Sequence, residues 1–386
     1  MHHKFSGFTH LFFVVAIILF VCKDDGYSQQ SAPTVIPPAD HIVIVIMENH
    51  GYEQIIGATS APNINAIASG DHSALFTQSF AIEHPSQPNY LDLFAGCNQG
   101  ITDDSKPTAI PFTTDNLGRQ LIDAGKTFIT YSEDLPSVGY NSSSSGAYAR
   151  KHNPAANWMG TGTNQIPTTT NQPFTAFPTD FTTLPTVCFV VPNQNNDMHN
   201  GGDPTSIING DNWVYNNLTN YLQWAKTHNS LLILTFDEDD ASTNNHIATI
   251  FAGQIIRTGK YSETINHYSI LRTIEEMYGL RYACNASTAT AITDLWSDPA
   301  TVTTNKLIAN DISISPNPTT GIIVVQNQSK NITHLSISNV LGQKMLDVTN
   351  TNQLDFTLDL SKFPAGTYIA RFVTSNGVIS KKIIRE

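Results

Sequence analysis

Three short apolar runs of this chain each end abruptly in acidic, amide or histidine side chains. The runs are residues 42–47, 187–191 and 231–236. Continuous apolar segments of this length are typical of strands buried on both faces of a parallel sheet. Helix-like segments and further strand-like runs alternate with them, the helices at 117–124, 212–228 and 268–278 and the strands at 126–131 and 247–252. The sequence therefore predicts an α/β fold with a mostly parallel sheet flanked by helices.

Side chains that bind metals follow all three runs. The first run is followed by Glu-Asn-His at 48–50, the second by Asp-Met-His at 197–199, and the third by Asp-Glu-Asp-Asp at 237–240. Because the carboxyl ends of parallel strands meet at one edge of a sheet, we expect these groups to lie together. Carboxylates gathered without a counter-ion repel one another, so a hard or borderline divalent cation is their natural partner. Taken alone, the acidic stretch would instead indicate an exposed turn.

A serine lies between two prolines at the start of a helix-like segment. Ser86 belongs to the stretch His-Pro-Ser-Gln-Pro-Asn-Tyr at 84–90. At a helix N-terminus, free amides and the helix dipole stabilise an anion, either a phosphate or a serine alkoxide. A plain helix-capping serine is the alternative, and these residues by themselves leave both interpretations open. His84 is close enough in sequence to orient the serine.

The charge balance limits the class of partner. The chain has 32 acidic and 20 basic residues and a formal net charge of −12, which argues against nucleic acid as its main partner. A small phosphorylated substrate is compatible, because a bound cation can meet its charge locally. The four cysteines include no Cys-x-x-Cys pair, so a zinc or iron–sulfur site built from thiolates is not expected.

The N-terminal segment is typical of a signal peptide. A basic start precedes an apolar run at 11–21 that is too short to span a bilayer, and small residues favour cleavage after Ser28. A membrane anchor, or a lipoprotein modified at Cys22, is the alternative. Cleavage would leave three cysteines, which allow at most one disulfide.

The character of the chain changes near residue 311. Helical patterns disappear, and short strand-like runs alternate with turn signals such as Pro-Asn-Pro at 316–318. This pattern predicts a small antiparallel β-sandwich, joined to the larger domain by a linker near 301–310. The predicted organisation is a signal peptide, a larger α/β domain and the sandwich, at 1–28, 36–300 and 311–386.

The site motifs resemble, in order, the sequence blocks of the bacterial phosphoesterase family. That family holds acid phosphatases and phospholipase C-like enzymes and belongs to the alkaline-phosphatase superfamily. The similar stretches are Met-Glu-Asn-His at 47–50, the serine stretch at 84–90, Arg-Lys-His-Asn-Pro at 150–154, Asn-Asp-Met-His at 196–199, Phe-Asp-Glu-Asp-Asp at 236–240 and a helix-like stretch at 267–275. The resemblance covers roughly residues 41–296 and implies an alkaline-phosphatase-like fold for the α/β domain.

The resemblance implies roles for particular residues. Ser86 would attack phosphorus and contact the metal, and the principal metal ligands would be Glu48, Asn49, Asp237 and Glu238. Further candidates for metal or phosphate contact are Asp197, His199 and His246. The candidates for protonating the leaving oxygen are His199 and His152. Two-zinc members of the superfamily usually have histidine where this chain has Glu238, so the identity of the metal and the number of ions, one or two, stay open.

By the same resemblance, we expect a secreted, metal-dependent phosphomonoesterase that works through a phosphoserine intermediate. A phospholipase C-type phosphodiesterase with the same site is the alternative. The substrate would be a phosphorylated small molecule or a phospholipid headgroup. A non-catalytic surface-binding protein is the third possibility, and it would require loss of Ser86 or of the metal ligands, all of which are present.

The tail resembles the type A sorting domain of the type IX secretion pathway. The similar stretches are Ile-Ser-Pro-Asn-Pro-Thr-Thr-Gly at 314–321, Asn-Val-Leu-Gly-Gln at 339–343 and Pro-Ala-Gly-Thr-Tyr at 364–368. The resemblance implies that the type IX secretion machinery exports the chain through the periplasm and outer membrane, to the medium or cell surface. A carbohydrate-binding or adhesive sandwich is the alternative, but such modules usually expose aromatic side chains, and Tyr368 lies within a strand pattern.

Overall fold

A computed structural model describes residues 1–2, 36–241, 244–297, 312–327, 332–339, 343–349, 355–374 and 377–386. The predicted signal peptide with its cleavage site, Cys22 and the linker at 301–310 lie outside the described residues. Within the described ranges, no helix combines the length and the apolar composition that crossing a bilayer requires.

Strands and helices alternate along residues 36–297. The strands are β1 His41–Met47, β2 Ser73–Phe76, β3 Ser79–Phe80, β4 Phe128–Ser132, β5 Ser144–Ser145, β6 Tyr148–Ala149, β7 Asn171–Pro173, β8 Val187–Val191, β9 Ser230–Phe236, β10 Thr249–Ala252, β11 Gly259–Tyr261 and β12 Ile265–Asn266. The helices are α1 Tyr52–Ile55, α2 Pro62–Ala68, α3 Ser86–Ala95, α4 Leu117–Asp123, α5 Thr205–Ala225 and α6 His267–Met277. Each predicted strand and helix is present, and the largest difference is at the start of α5.

Helix α5 begins at Thr205, well before the predicted start at residue 212. Apart from Ile207 and Ile208, its first two turns are polar and contain Gly210, which hides the helical pattern in the sequence. A Cβ atom at Gly210 would lie 2.4 Å from the side chain of Met198 and 2.9 Å from that of Met47. Glycine therefore lets the helix approach these two methionines, which neighbour the predicted metal-binding motifs.

The main sheet contains eight strands in the order β11-β2-β10-β9-β1-β8-β4-β7. The pairings of β1 with β8 and β9, of β8 with β4, and of β4 with β7 are parallel. Strand β10 runs against both of its neighbours, β9 and β2, and β11 runs parallel to β2. A mostly parallel sheet is therefore confirmed, and its antiparallel pairings are those of β10.

The central strand β1 is buried on both faces. Ile42, Ile44 and Ile46 belong to one apolar core, and Val43 and Val45 belong to the core on the opposite face. Burying one such side chain contributes about 1.5–3 kcal/mol relative to leaving it exposed. This double burial explains why the strand is a continuous apolar run, and why its polar residues begin where the sheet ends.

The tail forms two antiparallel sheets around a shared apolar core. One sheet has the order β13-β14-β17, with β13 Ile312–Ser315, β14 Ile322–Asn327 and β17 Asp355–Asp359. The other has the order β16-β15-β18-β19, with β15 Ile332–Asn339, β16 Lys344–Thr349, β18 Gly366–Thr374 and β19 Gly377–Arg385. Buried Ile323 from the first sheet and Leu335 and Phe372 from the second belong to one core. The predicted β-sandwich is confirmed.

Candidate active site

Ser86 is the first residue of helix α3, and its side chain points at carboxylates. Pro85 occupies the capping position, and no side chain caps the helix there. The Ser86 hydroxyl donates to Glu48 Oε2 at 2.9 Å and lies 3.1 Å from Glu238 Oε1. The serine is therefore not a plain helix cap, because its hydroxyl contacts two carboxylates outside its own helix.

Glu48 follows β1 and is the most enclosed carboxylate of the site, with no exposed surface. The Tyr90 hydroxyl, one turn after Ser86 on α3, donates to Glu48 Oε1. His152 Nε2 lies 3.2 Å from the same oxygen. Burial raises the pKa of Glu48 well above its usual value, and the neighbouring Asp237 carboxylate raises it further. Holding Glu48 ionised therefore calls for positive charge nearby.

Asp237 and Glu238 follow β9, the strand paired with β1. Asp237 Oδ1 accepts hydrogen bonds from the backbone amides of Asn49 at 3.0 Å and Glu238 at 2.7 Å. The Asn49 side-chain amide donates to Glu238 Oε1 at 2.7 Å. Asn49 has a φ of 47°, a left-handed conformation that asparagine tolerates better than most residues. This turn brings the polar residues after the two strands into contact.

Asp197 and His152 complete the buried part of the site. His152 Nδ1 lies 3.0 Å from Asp197 Oδ2, and the ring is stacked on Tyr90 with centroids 5.3 Å apart. The Glu48 backbone amide donates to the Asp197 carbonyl at 2.8 Å, which ties the two loops together. Burial lowers the pKa of His152 well below its usual value, and the Lys151 charge adds to this effect. His152 is therefore held neutral, the state in which imidazole binds metals.

Lys151 brings positive charge to the outer side of the site. Its ammonium lies 2.7 Å from Asp104 Oδ2 and 3.4 Å from His199 Nε2. Burial lowers the pKa of Lys151, but the hydrogen bond to Asp104 and the nearby carboxylates outweigh burial and raise it overall. The partly exposed His199 is anchored through its backbone amide, which donates to Asp197 Oδ1 at 2.8 Å.

A divalent cation fits this donor set. The four site carboxylates, on Glu48, Asp197, Asp237 and Glu238, are at most 3% exposed. Among the described residues, the buried Asp237 Oδ2 has no hydrogen-bond partner, and Asp197 Oδ2 faces the His152 ring. Ligand atoms of Glu48, His152 and Asp197 lie within 4.8 Å of one another. Buried carboxylate oxygens beside an imidazole suit a hard or borderline cation, which would offset the repulsion among the carboxylates.

His246 does not join the other predicted metal ligands. Its Nε2 lies 3.1 Å from the carbonyl oxygen of Thr77, and its Nδ1 lies 3.4 Å from Glu53. The ring is stacked on Tyr52, with centroids 4.6 Å apart. Since both ring nitrogens face other groups, we do not propose His246 as a metal ligand.

Two histidines in the motifs contact residues at the end of β9 and in the acidic motif that follows it. His84 contacts Glu238 Oε2 instead of Ser86, so it acts on a carboxylate beside the serine. His267, at the start of α6, is buried and its Nε2 donates to the carbonyl oxygen of Phe236 at 3.0 Å. This bond fixes the end of β9, where the acidic motif begins.

Sequence reasoning assigned no role to Tyr90, Lys151 or Asp104. Tyr90 lies four residues after Ser86 on a helix, and that spacing places both side chains on one face. Lys151 is adjacent to His152, so proximity to the site could have been inferred from the motif. Asp104 follows no strand and belongs to no motif, and only the tertiary structure brings it to Lys151.

In protein freed of divalent cations, the free energy of unfolding should fall as the pH rises above about 6.5. Burial raises the pKa of Asp197, Asp237 and Glu238 to about 7, above the value of roughly 4 in an unfolded chain. The folded, metal-free protein therefore binds more protons than the unfolded chain in this range, so its free energy of unfolding falls as these protons are lost. Burial lowers the pKa values of His152 and His267, so these two histidines change the free energy of unfolding mainly at pH values below this range.

We therefore expect the melting temperature with a chelator to fall between about pH 6.5 and pH 8, and a divalent cation to raise it more at the higher pH. The matched control is Asp237→Asn combined with Glu238→Gln, which should lose the share of this dependence that these two carboxylates contribute. Burial also raises the pKa of Asp92, Glu263 and Glu275 to about 7, and their share stays the same in both proteins. A melting temperature that rises over this range in chelated wild-type protein would contradict a desolvated carboxylate cluster.

Comparison with known proteins identifies both parts of the chain. Residues 66–281 match the model of the Phosphoesterase family, and residues 313–386 match the secretion system C-terminal sorting domain. A phosphatidylinositol-3-phosphatase of Mycobacterium tuberculosis is 47% identical over 271 residues, which cover 69% of this chain and 86% of that protein. A phosphate-repressible acid phosphatase of Penicillium chrysogenum is 30% identical over 275 residues, 66% of this chain and 64% of that protein.

Similarity to solved structures is more distant. A Vibrio parahaemolyticus protein in the alkaline phosphatase superfamily has a TM-score of 0.47 and 10% sequence identity, over 92% of this chain and 84% of that chain. The sequence matches define the protein as a hydrolase that acts on phosphoric ester bonds. The chain belongs to the phosphoesterase family. Its sorting domain is that of type IX export, which makes it a secreted or cell-surface protein.

Proposed function

We propose that this protein is an acid phosphatase-like phosphomonoesterase that uses Ser86 as its nucleophile. The observation that carries the proposal is the position of the Ser86 hydroxyl, 2.9 Å from Glu48 and 3.1 Å from Glu238. These carboxylates follow two different strands, and the serine begins a helix whose N-terminal dipole favours an anion. The Gln87 amide of this helix end already donates to Asp104 Oδ1 at 3.0 Å. A serine in such surroundings combines a nucleophile with stabilisation of the phosphoryl group.

The proposed cation ligands fall into two groups that share Glu48. The first group is Glu48, Asn49, Asp237 and Glu238, and two of its members, Glu48 and Glu238, contact the Ser86 hydroxyl. The second is Glu48, His152 and Asp197. One ion in the first group is sufficient for the proposed chemistry, and the second group offers room for another.

The reaction follows from the surroundings of Ser86. A bound divalent cation would neutralise phosphoryl oxygens and lower the pKa of the serine hydroxyl. Ser86 Oγ bonds to phosphorus as the bond from phosphorus to the alcohol oxygen breaks. Its proton passes to Glu48 or Glu238, whose oxygens lie within hydrogen-bond distance of the hydroxyl. Water then attacks the phosphoserine, which releases phosphate and restores the hydroxyl.

We propose His199 as the proton donor to the leaving alcohol. It is partly exposed and lies beside Lys151 on the outer side of the site, where an alcohol can depart. His152 is the weaker candidate, because burial lowers its pKa and keeps the ring without the proton that a general acid must give.

The names of the relatives support a monoester substrate. Both the bacterial and the fungal relative are named as phosphatases, one of them for a phosphoinositide. We therefore favour phosphomonoester hydrolysis over the phospholipase C-type alternative. The phosphate would be carried by a small molecule or by a phospholipid headgroup.

A substrate panel with metal replacement tests this function. Purified protein would be chelated, resupplied in turn with Mg²⁺, Mn²⁺, Ca²⁺ or Zn²⁺, and assayed with p-nitrophenyl phosphate, bis-p-nitrophenyl phosphate and phosphatidylcholine vesicles. We expect kcat/KM for the monoester to exceed that for the diester by at least about a hundredfold, and activity to return only with a cation. A preference for the diester or the phospholipid would favour the alternative, and full activity after thorough chelation would end the metal proposal.

The tail is proposed to serve export alone. Every proposed site residue precedes His267, and the tail has its own apolar core. A chain that ends near residue 302 should therefore keep its kcat but accumulate inside the cells, measured by assay and immunoblotting of cell and medium fractions. Loss of kcat in a truncated protein that still melts cooperatively would show that the tail contributes to the site.

A further inference from the structure

A cavity of about 190 Å³ opens near the start of α3. Gln87, the residue after the proposed nucleophile, lines it, as does Lys151, which lies next to the proposed proton donor His199. Apart from Ala149, the lining residues are polar or charged. The cavity is smaller than the roughly 300 Å³ at which pockets for drug-sized ligands begin. Its size and polarity suit a compact, hydrophilic leaving group and not an acyl chain.

The lining carries more positive than negative charge. Lys106, Arg150 and Lys151 contribute cations, whereas Asp104 is the one carboxylate among the lining residues. Asp104 is already paired with Lys151 at 2.7 Å. The positive charge of Lys106 and Arg150 is therefore left to attract an anion.

Arg150 is the most unusual of these residues, because it is only 1% exposed. Its Nε donates to Asn141 Oδ1 at 2.6 Å, and its Nη2 donates to the carbonyl oxygen of Ala156 at 3.0 Å. Among the described residues, its Nη1 has no hydrogen-bond partner, and no carboxylate lies within ion-pair distance of the guanidinium. A buried cation without a counter-ion is unfavourable, so an anion bound in the adjoining cavity would stabilise it.

We infer that this cavity is a subsite for a second anionic group on the leaving alcohol. The preferred substrates are then phosphomonoesters of polyols that carry another phosphate. The exposed Ser144 adds a hydroxyl to the rim, where it can hydrogen-bond to the polyol. This inference rests on the proposed phosphomonoesterase function. A soluble polyol bisphosphate and a lipid headgroup both present this chemistry.

The test compares substrates that differ in the second anion. The soluble arm uses fructose 1,6-bisphosphate and fructose 6-phosphate, and the lipid arm uses phosphatidylcholine vesicles that contain phosphatidylinositol 3-phosphate or phosphatidic acid. We expect kcat/KM to be at least about tenfold higher for the member with the second anion in at least one arm, which identifies the source. Equal values within both pairs would overturn the inference but leave the proposed function intact. Hydrolysis of no phosphomonoester would overturn the proposed function itself.

Charge variants connect this preference to the cavity. Lys106→Gln should lower the preference ratio by at least about fivefold, and Arg150→Gln should lower it further. The matched control is Lys260→Gln, which removes the same charge from an exposed side chain on strand β11 and should leave the ratio unchanged. Lys106 is exposed, so its variant should fold and decides the result even if the buried arginine cannot be replaced. An unchanged ratio in Lys106→Gln would overturn the inference.

A separate observation concerns two cysteines where the end of α3 meets the segment after α6. The backbone amide of Asn285 donates to the carbonyl oxygen of Gly96 at 3.0 Å. A Cβ atom at Gly96 would lie 2.2 Å from the carbonyl oxygen of Ala283, so the two backbones are tightly packed. Cys97 directly follows Gly96 and Cys284 directly follows Ala283, so this backbone contact brings the two cysteines together.

From this contact, we propose that Cys97 and Cys284 form a disulfide during export. Cys284 is exposed, so its thiol can attack the disulfide of a thiol oxidase, and Cys97 then displaces that oxidase. One disulfide forms in this chain as the oxidase disulfide becomes a dithiol, and two electrons and two protons pass to the oxidase. Such oxidants act in export compartments, not in the cytosol. Cys188 is fully buried in β8 and stays reduced.

Mass spectrometry of the secreted protein tests the pairing. Peptide mapping under non-reducing conditions should give one cross-linked species that contains Cys97 and Cys284, with a mass lower by two hydrogen atoms than the separate peptides. A reducing agent should lower the melting temperature of the wild type and of Cys188→Ser, but not that of Cys97→Ser. Alkylation of both Cys97 and Cys284 in denatured, unreduced secreted protein would overturn the proposal.

Discussion

Replacing Ser86 with alanine is expected to lower kcat by at least about a thousandfold, because the phosphoserine route is then closed. The melting temperature should change little, since Pro85 and not Ser86 occupies the capping position of α3. A residue that acted only as a helix cap would cost about 1 kcal/mol of stability and leave turnover largely intact. The two roles therefore differ in which quantity changes, and steady-state kinetics with thermal melting separates them.

Ser206→Ala is the matched control for this substitution. Ser206 is also buried in the first turn of a helix, and its hydroxyl also donates to a carboxylate, Asp203 Oδ1 at 2.6 Å. It should lose some stability but keep its kcat within a few fold. In wild-type protein quenched with acid during turnover, labelled phosphate should map to Ser86. A label on another residue, or near-normal kcat in Ser86→Ala, would mean that another group or water attacks phosphorus.

The double substitution of Asp237→Asn and Glu238→Gln is expected to lower kcat/KM by at least about a thousandfold. The amides keep the size of the carboxyl groups, and the side-chain oxygen that remains at position 237 could still accept the hydrogen bond from the Asn49 backbone amide. Removing the Asp237 charge also relieves repulsion with the buried Glu48, so the metal-free variant should melt no lower than the metal-free wild type. Added divalent cation should then raise the melting temperature of the wild type much more than that of the variant.

Asp240→Asn is the control for this experiment. Asp240 belongs to the same acidic stretch but is exposed, where it accepts a hydrogen bond from Gln54 at 3.1 Å. Its variant should keep near-normal kcat/KM and a normal response to cation. Equal loss in the control would indicate a general effect of acidic charge, and full activity in the double variant would end the proposal that these residues hold a cation.

The strands that carry the site were predictable because their pattern is local. A continuous apolar run such as β1 or β9 is stable only when both of its faces are buried, and such a run can be recognised from consecutive residues alone. The start of α3 was also predictable from neighbouring residues, because a serine between two prolines precedes a helix-like segment there. The start of α5 was missed because Gly210 interrupts the helical pattern. This glycine is needed for close packing against Met198 and Met47, and no neighbouring residue in the sequence indicates that contact.

The role of Ser86 depends on residues that are distant in the chain. Its hydroxyl partners Glu48 and Glu238 lie 38 and 152 positions away. The motif could therefore state that a serine begins a helix, but it could not state where the hydroxyl points. The confirmed family resemblance favoured a nucleophilic role for Ser86 over a helix-capping role. The contacts of its hydroxyl with Glu48 and Glu238 support the same interpretation.

Local patterns in the chain were sufficient to predict the α/β class, the sandwich tail and the edge of the sheet at which the polar motifs collect. These properties follow from periodicity and burial, which act between near neighbours in the chain. The tertiary structure decided which side chains meet: His152 enters the carboxylate cluster, whereas His246 turns to Thr77. It also decided that Lys151 pairs with Asp104 and that Arg150 is buried beside a cavity. Such contacts depend on how distant segments pack, and no local pattern of residues encodes that packing.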